Sequence, residues 1–179
     1  MADLLDRAHR AALLDVSLYE EVEADETALG QAVAVVAISS LAAGIGSIAE
    51  AGLIGFFLGA IAAIIGWYIW AYLTYVIGTK FLPEARTEAD LGQLLRTIGF
   101  SSSPGVIRVL GIVPGLGKIV FFVASVWMLV AMVIAVRQAL DYTSTLRAVG
   151  VCLIGWLVQG ILLFLVLYLL GGAGTAVRP

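Results

Sequence analysis

Few residues in this chain could do chemistry, and the most exceptional is an arginine. Arg108 lies inside PGVIRVLGIVPGL (104–116), an otherwise apolar run. A guanidinium stays charged at any physiological pH, and at mid-bilayer it costs about 2.5–3.5 kcal/mol on insertion scales. Such a residue snorkels to the surface, pairs with a carboxylate or receives an anion. Asp90 and Asp141 are the acidic residues available to it, so Arg108, Asp90 and Asp141 form the candidate ion pair. The alternative is a site for a lipid headgroup or another anion. Gln159, also in an apolar stretch, is expected to hydrogen-bond to a neighbouring helix.

The remaining candidates are weaker. Cys152 sits among apolar residues and reads as a small hydrophobe. One Cys cannot form an internal disulfide, and one His, His9, cannot build a histidine metal cluster. Pro114-Gly-Leu-Gly-Lys118 brings a phosphate loop to mind, but that motif needs G-x-x-x-x-G-K-[ST] after a strand. Ile119 follows the lysine, so the segment reads as a turn. A hydrolase needs a nucleophile beside a base, and the Ser and Thr of the apolar stretches have no His partner. The expectation is no catalytic, cofactor-binding or metal-binding residue, and no enzyme.

The elements that must position Arg108 and Gln159 follow from composition. Hydrophobic residues make up 61% of the chain and charged residues 13%, with a mean hydropathy of +1.05. A soluble domain is nearer 45–50% apolar and about 25% charged, and a small one lacks the interior to hide the excess. The net charge of −3 argues against nucleic acid, whose phosphates call for a basic patch.

Uncharged stretches mark the spans, since about 20 apolar residues cross a bilayer core. They run from Glu26 to Glu50, Glu50 to Lys80, Lys118 to Arg137 and Arg147 to Arg178. The expected helices are 28–46, 52–78, 118–139 and 147–170. The run 104–116 is ambiguous, because thirteen helical residues reach only about 20 Å. It reads as a short or broken fifth span, or as a re-entrant piece buried in protein. No secretory signal is visible. Lys and Arg crowd the flanks on the N-terminal side whether four or five spans are counted, which puts the N-terminus in the cytoplasm and leaves the number open.

Residues 1–26 carry eight acidic and two basic side chains. They read as a solvated helical arm, or as a dock for a basic partner, with a second short helix starting from a capping box at Ser17–Glu20. A Gly-rich turn (44–52) then joins the first two spans. Ala51, Gly55, Gly59 and Ala63 repeat every four residues, a spacing that lets helices pack closely. Trp67, Tyr68, Trp70, Tyr72 and Tyr75 read as an interfacial aromatic belt. Residues 88–99, started by Thr87, carry an apolar stripe of Leu91, Leu94, Leu95 and Ile98 opposite Asp90, Gln93 and Arg96. This is an amphipathic helix lying in the interface. Gly171-Gly172 is expected to end the last helix, leaving a tail at 173–179.

The order of these features resembles the Yip domain family, the Ypt/Rab-interacting membrane proteins, in its bacterial branch. The resemblance rests on WYIWAYLTYVIG (67–78), ADLGQLLRTIGFSSSP (89–104), IVPGLG (112–117) and VWMLVAMVIAVRQALDYTSTLRA (126–148). It implies five spans, a cytoplasmic N-terminus and no catalytic site, and it transfers no binding residues.

The expected protein is therefore an all-α integral membrane bundle of about five helices, with the arm at 1–26 and the membrane domain at 27–172. Its expected role is that of a non-catalytic scaffold or adaptor in a bacterial inner membrane, or an accessory subunit of a larger membrane complex. Its partners would be membrane lipids and either a protein partner or a second copy of itself. The alternative is a transporter or lipid-handling protein using Arg108 and the broken Pro104–Pro114 segment.

Overall fold

The computed structural model describes residues 3–175; the side chains of 49–51, 166–167 and 169–175 lie outside the description. Seven α-helices follow in chain order: α1 (Leu4–Ala12), α2 (Val16–Ala24), α3 (Leu29–Gly46), α4 (Ile48–Val76), α5 (Leu91–Phe100), α6 (Gly117–Ala139) and α7 (Thr145–Thr175). A ten-residue 3-10 helix, Ser103–Ile112, follows α5. The described residues are helical with turns, and no strand occurs among them. Four helices are long and apolar enough to cross a membrane: Glu26–Gly46, Gly52–Phe81, Gly117–Ala139 and Thr145–Leu165.

The polar ends of these elements use short side chains to satisfy free backbone donors. Asp15, not Ser17, caps α2, accepting from the Ser17 amide at 3.0 Å. Asp90, not Thr87, caps α5 in a reciprocal box with Gln93, with bonds of 2.9 and 2.7 Å. The connection between the first two spans kinks at Gly52, inside the segment numbered α4, whose φ of 64° and ψ of −176° suit glycine alone. Val113–Leu116 is a β-turn closed by a 3.1 Å bond, with Pro114 second and Gly115 third at φ 84°. That is the residue pattern a type II turn requires. At the other end of the chain, α7 continues through Gly171 and Gly172 to Thr175 instead of stopping. The tail expected at 173–179 is thus helical to 175, and 176–179 lie outside the described residues.

Buried contacts concentrate at one end of the bundle. Ala71 and Ile77 of the second span meet Leu94, Leu95 and Ile98 of α5, Val136 to Leu140 of α6, and Ala148, Val151 and Cys152 of α7. Beside them, Leu18, Tyr19 and Val22 of α2 pack on Ala28, Ala32, Val35, Phe100 and Ala135. The opposite halves of the long helices expose Leu53, Phe57 and Ile61, then Phe122 and Leu129, then Leu157 and Ile161. An apolar surface of this extent fits acyl chains, not water.

The arm is part of this packed end, which corrects the reading of a free, solvated segment. Arg7, 5% exposed, bonds to Glu21, Asp25 and Gln31 at 2.8–3.0 Å. Arg10 bridges Asp15 and Glu21. The Trp127 indole donates to the Ala12 carbonyl at 2.8 Å. Arg96 is buried against the arm, donating to the Val22 and Glu23 carbonyls at the C-terminal end of α2, where a helix dipole favours a cation. The side of α5 that was expected to face water is thereby covered by protein.

Candidate functional site

The segment carrying Arg108 lies against α3 in parallel. A Cβ built at Gly99 would sit 2.7 Å from the Ala32 Cβ; one at Gly105 would overlap Ser39 Oγ; one at Gly111 would lie 2.9 Å from the Gly46 carbonyl oxygen. The contacts on α3 fall every seven residues (32, 39, 46), and those opposite fall every six (99, 105, 111). Seven α-helical residues rise about 10 Å in two turns. Six 3-10 residues rise about 12 Å in two turns. Six 3-10 residues make two turns, as seven α-helical residues nearly do, so Gly105 and Gly111 both return to the side that faces α3. The three-residue repeat also puts Ser102, Gly105, Arg108 and Gly111 on one face.

Ser103–Ile112 reaches about 20 Å as a 3-10 helix, short of a bilayer core of about 30 Å, and it is not among the four helices long and apolar enough to cross. Its break from α5 falls at Ser101–Ser102. α3, α5 with the 3-10 helix, and α7 run one way; α4 and α6 run the other.

Between α3, α4, the 3-10 helix, α6 and α7 lies a cavity of about 420 Å³, within the range of small-molecule sites. It extends along α4 from Gly55 to Trp70, about 22 Å of helix. Ser39, Ser40, Ser47, Ser102, Arg108, Trp67 and Gln159 supply its polar wall, and Phe56, Phe121, Met128 and Met132 its apolar one. Gly59 lines the cavity and is exposed.

The structure separates the expected ion pair. Arg108 Nε donates to the Gly105 carbonyl at 3.0 Å, and Nη2 to Ser39 Oγ at 2.7 Å and the Ser39 carbonyl at 3.3 Å. Asp90 is engaged in capping α5, and Asp141 is exposed at the α6–α7 turn with φ 51°. The guanidinium bends back toward the start of its own helix. There it meets neutral oxygens, because α3 reaches it before any carboxylate can.

Other expected residues change role. Gly55, Gly59 and Ala63 line the cavity, and a Cβ on Gly59 would meet nothing within 4 Å, so there the stripe opens space in place of close helix contact. The side chain of Ala51 lies outside the described residues. The aromatic belt divides: Tyr68 and Tyr72 are half-exposed and point outward, and Tyr75 is partly buried. Trp67 and Trp70 turn inward to the cavity. Trp70 Nε1 contacts the Met132 sulfur at 3.2 Å, and Trp67 Nε1 is buried without a partner. Gln159 lines the cavity. Ser39 and Ser40 went unnoticed in the sequence, although two adjacent hydroxyls in an apolar span signal an inward face.

Outside the membrane region a second cleft of about 780 Å³ lies among Glu20, Glu23, Arg86, Arg137 and Asp141. Burial, with the Asp141 carboxylate nearby, pushes the Glu23 carboxyl up to about 7. The hydrogen bonds from Arg10 and Arg7 hold Glu21 below the usual carboxylate range despite some burial.

Compared with known families, the chain matches the Yip1 domain over residues 17–167. The match begins inside the arm, at α2, the helix whose side chains enter the core. No curated protein and no solved structure matches the chain.

Proposed function

Since the chain belongs to the Yip1 domain family and is a multi-pass membrane protein, we propose that it works as a non-catalytic scaffold that organises bilayer lipid, holding one guest molecule in the cavity among its spans. Its setting in this proposal is a bacterial inner membrane with the arm in the cytoplasm. There it acts alone or as an accessory subunit, and the folded acidic arm offers protein partners a rigid surface. The observation that carries the reading is the cavity itself, long and mostly apolar, with polar groups along one wall. Its polar lining consists of hydroxyls, an indole, a carboxamide and a guanidinium, which bind and orient a guest. General acid–base work would need a group that titrates near neutral pH.

Extraction of the full chain with its surrounding bilayer, followed by mass spectrometry of the intact particle, tests this. One amphiphile retained per chain is expected, with a fall in thermal midpoint when it is stripped by detergent. A chain that carries nothing and loses nothing on delipidation would overturn the reading.

A second reading is transport, favoured by the break between α5 and the 3-10 helix, since interrupted helices at membrane depth mark solute sites in transporters. Solute flux in proteoliposomes that Arg108→Leu abolishes would support it. Lipid retention without flux would exclude it.

A further inference from the structure

We infer that the cavity guest is anionic, and that Arg108, Trp67 and Gln159 receive its oxyanion, which in a bilayer is the phosphate of a lipid headgroup. The inference rests on the reading that the cavity holds a bilayer guest, and it names that guest's class.

The first argument is charge. Arg108 brings a permanent positive charge to the cavity wall and makes no ion pair; among the described residues the salt bridges belong to Arg7, Arg10 and Arg147. Its partners in the structure are three neutral oxygens on Ser39 and Gly105. A guanidinium has five N–H donors and no acceptor, and Nη1 is used by none of these bonds. A part-buried cation without a counter-ion carries a desolvation cost, and an anion arriving beside it offsets that cost.

The second argument is independent of Arg108. The Trp67 ring lines the same cavity, and its Nε1 is buried with no acceptor within reach. An indole N–H can only donate, and a buried donor left unpaired is rare in a folded protein. The Gln159 carboxamide adds two N–H donors from α7. The serines lean the same way: Ser40 and Ser47 spend their protons on the Ala37 and Ala43 carbonyls, and Ser39 Oγ accepts from Arg108. Three elements, the 3-10 helix, α4 and α7, thus turn donors without partners toward one space. A cation would find no carboxylate among the described lining residues, and a neutral chain would leave the Trp67 donor and the Arg108 charge unanswered. A phosphate accepts several such bonds at once, and a charge-assisted bond from arginine is among the stronger ones.

The test reconstitutes the full chain in vesicles of equal phosphatidylglycerol and phosphatidylcholine, extracts it with its lipid, and measures what each variant retains. Wild type is expected to hold phosphatidylglycerol over phosphatidylcholine by about tenfold, the ratio that 1.4 kcal/mol sets. Arg108→Gln is expected to erase that preference and Trp67→Phe to reduce it several-fold. If Arg108→Gln fails to fold, judged by its thermal midpoint, Trp67→Phe and Arg108→Lys decide the matter, the lysine keeping the charge and part of the preference. A parallel arm adds inorganic phosphate to delipidated protein. Stabilisation by millimolar phosphate that needs Arg108, with no lipid preference, would assign the site to the free ion and overturn the lipid source. Equal retention of both lipids by wild type and variants would overturn the anion inference and leave the lipid scaffold standing. Retention of nothing by any of them would overturn both.

Discussion

Replacing Gly46 by alanine tests the contact that places Arg108. A Cβ at Gly46 would overlap the Arg108 carbonyl oxygen, with the carbonyl carbon 3.0 Å away and Phe121 Cε2 at 3.2 Å. The oxygen belongs to backbone and has no rotamer to escape into, so α3 and the 3-10 helix must separate. Overpacking of this kind costs about 1–3 kcal/mol, and a clash on backbone belongs at the upper end. Alanine returns up to about 1 kcal/mol of helix propensity, which leaves a net loss of about 2 kcal/mol. For a chain of this size that lowers the thermal midpoint by about 4–8 °C. Gly59→Ala is the control, since its new methyl meets nothing within 4 Å; it should be neutral or raise the midpoint. Tryptophan fluorescence of the full chain during heating in mild detergent reads both, because Trp67 and Trp70 line the cavity beside this contact. A Gly46→Ala variant as stable as wild type would refute the parallel docking of the 3-10 helix on α3, and with it the account of the cavity.

Three further outcomes are expected. Gly52→Ala should lose about 1–3 kcal/mol, because φ 64° with ψ −176° is strained for any residue with a Cβ; equilibrium unfolding in mixed micelles measures it. Trp127→Phe should cost about 1 kcal/mol by orphaning the Ala12 carbonyl, and limited proteolysis should then cut the α1–α2 arm faster than in wild type; an unchanged rate would mean that the indole bond does not hold the arm. The third concerns pH. Glu23 keeps its proton up to about 7 in the folded chain, against 4.5 when unperturbed. The unfolded chain thus binds fewer protons between those values, and stability should fall as pH rises through that window. Glu23→Gln should flatten the fall. Glu21, held low by its arginines, acts oppositely, and its contribution disappears as pH drops below the ordinary carboxylate range.

Much of the architecture was legible in the sequence, because solvation by lipid leaves a coarse mark. Long uncharged stretches, a tight Gly-rich hairpin and the aromatic end of α4 needed only composition and spacing. Cys152 as a buried small hydrophobe needed no more. Covalent connectivity and local periodicity carry that information.

What the sequence left open was decided by contacts between distant segments. The four-residue stripe on α4 has the spacing of a packing motif, but whether it meets a helix or a void depends on where α3 and α7 stand. The arm reads as soluble from its charge. It folds onto the bundle because Arg7 reaches Gln31 and because Arg96 and Trp127 donate to its backbone at long range, and a local pattern cannot register such partners. Above all, residues 104–116 look too short to cross as an α-helix. Ser103–Ile112 winds as a 3-10 helix against Ser39 and Gly46, and that packing turns Arg108 away from Asp90 and Asp141 toward the cavity. Hydropathy fixes which segments leave water, since it sums over one stretch of chain; the direction a side chain takes within the membrane depends on the shape of the neighbours it packs against.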